Sequence, residues 1–163
     1  MKKTLFFAIC AIFFLISGCE DPDLTADESQ ISDTDIIYDA ELAGELGADN
    51  YGMRQYVIAF LKEGPNRSQD STRAAELQRG HLDNIRWLAE EGKLVLAGPF
   101  MDSEEVRGLF VFNVRTVEEA RELTETDPAI KAGWLAMELR PWYGSAALME
   151  VNNIHSRISQ TNP

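Results

Sequence analysis

The sequence predicts an α+β domain of element order β-α-β-β-α-β, and three observations carry that expectation. Residues 55–61 and 109–114 are apolar on both alternating sets, the mark of strands covered on both faces. Residues 71–91 repeat their apolar positions at helical spacing. Thr116 and Glu119 stand in the T-x-x-E spacing of a helix start, and residues 134–140 then alternate.

In order along the chain, residues 55–61 set Tyr56, Ile58 and Phe60 against Val57, Ala59 and Leu61, and end at Gly64-Pro65-Asn66. The helix over 71–91 gathers Ala74, Leu77, Ile85 and Leu88 on one face, with Ala89 at its edge. His81 falls within about 30° of the centre of that face. Gly92 suits the left-handed position beyond the helix end. Residues 94–97 form a short buried strand closed by Gly98-Pro99. After 109–114, Val117, Ala120 and Leu123 make a second, shorter helix. Residues 134–140 place Leu135, Met137 and Leu139 on one side, and Pro141 is expected to end the strand. This order is the split βαβ, or ferredoxin-like, motif. Two helices cover one sheet face. The apolar second face exceeds what a monomer usually exposes, so a homodimer packed sheet to sheet is expected. The alternative cover is the tail over 145–163, through Ala146, Ala147, Leu148 and Met149.

The flanks explain the charge. The 163 residues carry a formal charge of −12, from 15 basic and 27 acidic side chains. Residues 1–18 read as a secretory signal, with Lys2 and Lys3 ahead of an apolar run too short to span a bilayer. Leu15-Ile16-Ser17-Gly18-Cys19 resembles the lipobox of bacterial lipoproteins. That resemblance implies a lipidated Cys19, a membrane anchor in the cell envelope and a domain outside the cytoplasm. From Glu20 to Asn50 there are 11 acidic residues and no basic ones, so 19–50 is expected to be a disordered acidic tether, with room for a short helix near residues 40–46. Residues 51–144 hold 15 acidic and 12 basic side chains, close to neutral. With no basic patch, nucleic acid is excluded as a partner.

His81 is the one histidine in the domain. An imidazole on an apolar face needs a hydrogen-bond partner, and a backbone carbonyl would suffice. Asp127 before Pro128 is a favoured helix start in its own right. If the two met, the carboxylate would fix the imidazole tautomer and suit it to general acid–base work. No zinc spacing, phosphate-binding loop or nucleophile arrangement occurs, so neither metal nor cofactor is expected.

Several short pieces in fixed order resemble the YCII-related (YciI-like) family: Gly80-His81-Leu82, Glu90-Glu91-Gly92-Lys93-Leu94, Ala97-Gly98-Pro99-Phe100, Thr126-Asp127-Pro128-Ala129, Ala132-Gly133 and Pro141-Trp142-Tyr143-Gly144. The resemblance implies a dimeric α+β barrel, with His81 and Asp127 as the catalytic pair. Gly98, Pro99, Phe100, Trp142 and Tyr143 would shape the small-molecule pocket. Relatives include a dehydrochlorinase and resemble muconolactone isomerases, which implies cofactor-free proton transfer of lyase or isomerase type on a small ring compound. Two departures stand out: Gln78 where relatives often carry arginine, with Arg79 one place later, and the bulky Trp134 after Gly133. A non-catalytic binding module and a dimeric interaction module of the envelope are the competing readings.

Overall fold

A four-stranded antiparallel sheet and the helices around it make up the folded unit in the computed structural model, which describes residues 37–66 and 70–161. The elements are α1 (Ala40–Glu45), β1 (Met53–Glu63), α2 (Ser71–Glu90), β2 (Leu94–Pro99), β3 (Val106–Phe112), α3 (Val117–Thr124), α4 (Pro128–Lys131) and β4 (Leu135–Ser145). A 3-10 turn (Ala146–Glu150) and α5 (Val151–Ile158) follow. The strand order is β2-β3-β1-β4, with β1 antiparallel to both β3 and β4. This is the α+β, ferredoxin-like arrangement that the sequence predicts. The signal segment, Cys19 and the first part of the acidic stretch lie outside the described residues. Among the described residues no helix is long and apolar enough to cross a membrane.

The core lies between the sheet and its helices. Val57 and Ala59 from β1, Phe110 and Phe112 from β3 and Leu94 from β2 pack against Leu88 of α2 and Ala120 of α3. A second cluster joins Leu61 and Leu135 to Leu77 of α2 and Ala129 of α4. Local signals hold each helix in place. Gly92 adopts φ +65° just beyond α2. Thr116 and Glu119 close a reciprocal capping box at α3.

On the other face Tyr56, Val95 and Val111 are buried, with Leu148 and Met149 of the 3-10 turn packed over them. The C-terminal segment therefore covers part of that face. A bulge between Leu94 and Leu96 accompanies this, Leu94 joining the helix-side core and Val95 the opposite face.

Two expectations need correction. The last strand does not stop at Pro141: β4 continues to Ser145, with Pro141 opposite Val57. Because β4 is an edge strand, a proline whose nitrogen faces the open side removes no ladder bond. The folded unit also begins at Asp39 rather than after Asn50. Residues 39–50 are fastened by polar contacts. The Arg54 guanidinium donates to the Leu46 carbonyl at 2.6 Å and to Asn113 at 2.7 Å, and the Tyr143 hydroxyl donates to Asp49. α1 buries no side chain, so a rule based on apolar content does not register it.

Candidate functional site

His81 sits on the inward face of α2, 5 % exposed, its ring stacked on Phe110 at 5.8 Å between centroids and 16° between planes. Asp127, 1 % exposed, caps α4: its Oδ1 accepts the Ala129 amide proton at 2.8 Å. The other oxygen, Oδ2, lies 2.5 Å from His81 Nδ1. One carboxylate thus serves both purposes that the sequence offered as alternatives.

The approach of α4 to α2 is built into the neighbouring residues. Gly80 presents no side chain where a Cβ would lie 3.1 Å from Pro128 Cγ. One turn on, the Asn84 amide donates to Thr126 Oγ1 at 2.8 Å, and Thr126 Oγ1 donates to the Leu123 carbonyl at 2.7 Å. Asn84 follows Gly80 by four positions and His81 by three, and together these residues grip the Thr126-Asp127-Pro128 turn.

His81 borders a pocket of about 310 Å³ on the helix side of the sheet, with Leu61, Leu82, Phe110 and Leu135 as apolar wall, and Asp127 stands behind it. An ionised carboxylate can only accept, so Nδ1 carries the proton shared with Asp127. Nε2 is left with its lone pair and without a protein partner among the described residues. A histidine oriented by a carboxylate, with its second ring nitrogen unpaired, is the arrangement that general acid–base chemistry requires. Among the described residues no group of three His, Cys, Asp or Glu gathers to hold a metal ion.

The other predicted site residues divide. Gly98 and Pro99 line the pocket. Phe100, Trp142 and Tyr143 do not, and this corrects their expected placement within the chain. Phe100 is exposed beyond the end of β2, its amide donating to the Arg107 carbonyl at 2.9 Å. Trp142 lies opposite Tyr56 on the other sheet face, ring centroids 5.8 Å apart. Its indole covers Gly144, where a Cβ would meet the ring at 2.3 Å. Tyr143 pairs with Gln55, whereas the pocket opens near Leu61 and Glu63. At about 3.3 Å per strand residue, that separates them by roughly 20 Å.

Gln78 and Trp134, noted in the sequence as departures, both line the pocket. So do Arg107 and Glu63, which the sequence reading did not single out; Arg107 donates to Glu63 at 2.8 Å. Alternation along β1 puts Glu63 on the face of Val57, Ala59 and Leu61, but it could not have placed Arg107, because the β1–β3 register shifts between Leu61 and Lys62 and skips that residue.

Residues 55–143, more than half of the chain, match the YCII-related domain. The chain belongs to the YCII-related family. No curated protein matches it. Among solved structures it is similar to the 5-chloro-2-hydroxyhydroquinone dehydrochlorinase of Burkholderia phenoliruptrix AC1100, determined in complex with 2,5-dihydroxybenzoquinone. The identity is 18 %, the TM-score 0.41, and the match covers 55 % of this chain and 93 % of that one. The YCII-related match contains His81, Asp127 and all four strands but for the first two residues of β1 and the last two of β4; α1, the 3-10 turn and α5 lie outside it.

Proposed function

We propose that this YCII-related domain binds a small molecule and moves a proton on it without a cofactor, in a lyase- or isomerase-type reaction. The His81–Asp127 contact at a pocket wall carries the reading. His81 Nε2 takes a proton from the bound molecule. Asp127 holds the ring, fixes the Nδ1–H tautomer and stabilises the imidazolium until the proton is returned at a neighbouring position or a leaving group departs. Family membership supports small-molecule binding in this fold.

The test is deuterium exchange at activated C–H positions across a panel of small hydroxylated ring compounds, followed by NMR. Exchange catalysed by the full chain is expected to fall at least 100-fold in both His81→Ala and Asp127→Asn, the scale of a lost general base. Exchange that persists in both variants would overturn the reading. Trp134 on the pocket wall favours a second reading, a binding module without turnover: affinity for a ring compound with no exchange would select it.

The placement in the cell follows the sequence reading: a lipid on Cys19 anchors the chain in a bacterial envelope, with the domain held outside the cytoplasm as a homodimer. Labelling by a fatty-acid analogue that survives Cys19→Ala would sink the anchor.

A further inference from the structure

The His81 pocket is mostly apolar, yet it carries one cation that proton transfer at His81 does not use. Arg107 reaches it from the start of β3, half-buried, with a single side-chain acceptor. Its Nη2 donates to Glu63 Oε1 at 2.8 Å. A guanidinium has five N–H donors in a rigid fork, and its remaining donors have no protein acceptor among the described residues. Glu63 therefore orients the fork without filling it. Among the described residues no other Lys or Arg borders the pocket.

From this arrangement we infer that Arg107 reads an anionic oxygen group, a carboxylate or phenolate, on a small ring-shaped ligand of the His81 pocket. The size of the ligand follows from the volume. About 310 Å³ stands at the low end of small-molecule sites, which run from about 300 to 1,000 Å³. The shape follows from the lining: the ring side chains of Phe110, Trp134 and Pro99 border the pocket, a lining that suits a planar ring. The charge follows from the fork, since guanidinium matches carboxylate geometry and is weakly hydrated, which favours pairing in a partly dry pocket. Gln78 adds a neutral amide on the same wall. The inference names the substrate class for the acid–base reading above, and rests on it only in taking the His81 pocket as the ligand site.

Benzoate and benzamide are planar, of equal size, and differ in charge. In calorimetric titration of the full chain carrying Cys19→Ala, benzoate is expected to bind at least tenfold tighter than benzamide. Arg107→Gln should bring that preference close to one, and Arg107→Lys should keep its sign at reduced size. Raising the salt from about 0.02 M to 0.5 M should shrink the wild-type preference, because a half-exposed ion pair is screened. The salt series needs no variant, so a misfolded Arg107→Gln leaves the inference open to refutation. Equal affinities, tighter binding of benzylamine than of benzoate, or no binding of either probe would overturn it. His81→Ala should retain the preference for benzoate. A retained preference with no proton exchange removes the catalytic reading and keeps the anion site; exchange without the preference does the reverse.

Discussion

At Asp127 one side chain caps the start of a helix and contacts a histidine, and the two duties can be separated by substitution. Asparagine caps a helix about as well as aspartate, so Asp127→Asn keeps the bond to the Ala129 amide while removing the carboxylate from His81. Alanine loses the cap, at about 1 kcal/mol, and leaves the buried Nδ1 without a partner, at a further 1–3 kcal/mol. Thermal melting should therefore place Asp127→Ala well below Asp127→Asn, with both defective in proton exchange. Equal melting temperatures would show that the cap carries no stability here. Gly80 gives a complementary case. In an open helix interior, Gly→Ala stabilises by about 0.5–1 kcal/mol. Here the new methyl meets Pro128 Cγ at 3.1 Å, so α4 must shift by a few tenths of an ångström and carry Asp127 with it. Gly80→Ala is expected to melt near the wild-type temperature while losing roughly tenfold in exchange rate, because small misplacements of a catalytic group are disproportionately harmful. Unchanged activity would show that the contact tolerates the shift.

Individual elements show where polar contacts replace burial. The α1 segment is held by Arg54 and Asp49, and the Tyr143 hydroxyl bonded to Asp49 is the main reason that this carboxyl titrates below its ordinary range; the backbone N–H of Tyr51 adds to it. A carboxyl with a lowered folded-state pKa contributes stability above its unfolded pKa and loses it as the pH falls through the folded value. Protection factors over residues 39–50, the amide exchange rates corrected for their intrinsic pH dependence, should therefore fall on acidification from about pH 6 to pH 3, ahead of those of the sheet core, and Asp49→Asn should weaken that dependence. Uniform protection of both regions across that range would refute it. This segment also shows what the sequence made legible. The elements with apolar period or a local cap were readable: the inward face of α2, the Thr116–Glu119 box, and Gly92 at φ +65°. The His81–Asp127 meeting was not derivable from spacing, since it depends on α2 and α4 approaching across 46 residues of chain. Only the resemblance pointed to it. Arg107 was hidden by a register shift, and Trp142 was misplaced because a conserved-looking motif says nothing about which sheet face it occupies. Its alternation opposite Tyr56 puts it away from the pocket.

For the whole molecule, the distribution of charge bears on association. The acidic excess belongs mostly to residues 20–50, whereas 51–144 are nearly neutral, so two domains can meet without strong repulsion. At physiological salt the Debye length of about 8 Å also screens the acidic stretches from each other. The face available for pairing is not uniform. Its Val95–Val111 part lies under Leu148 and Met149, whereas the β1–β4 part presents half-buried Phe60 with the Arg140 guanidinium 5.5 Å from its ring centroid. Beside it Lys62 bridges Glu105 and Glu138, each at 2.9 Å. That combination of an aromatic centre and an ion-paired rim resembles the anatomy of protein interfaces. The proposed sheet-to-sheet homodimer should therefore turn on Phe60. The Cys19→Ala chain, free of lipid, is expected to elute as a dimer at micromolar concentration in size-exclusion chromatography with light scattering. Phe60→Asp should elute as a monomer with a similar melting temperature, because the side chain is only partly inside the single-chain core. A monomeric parent at that concentration would refute the dimer. A dimer that survives Phe60→Asp would move the interface elsewhere, most directly to the C-terminal segment over Tyr56, Val95 and Val111.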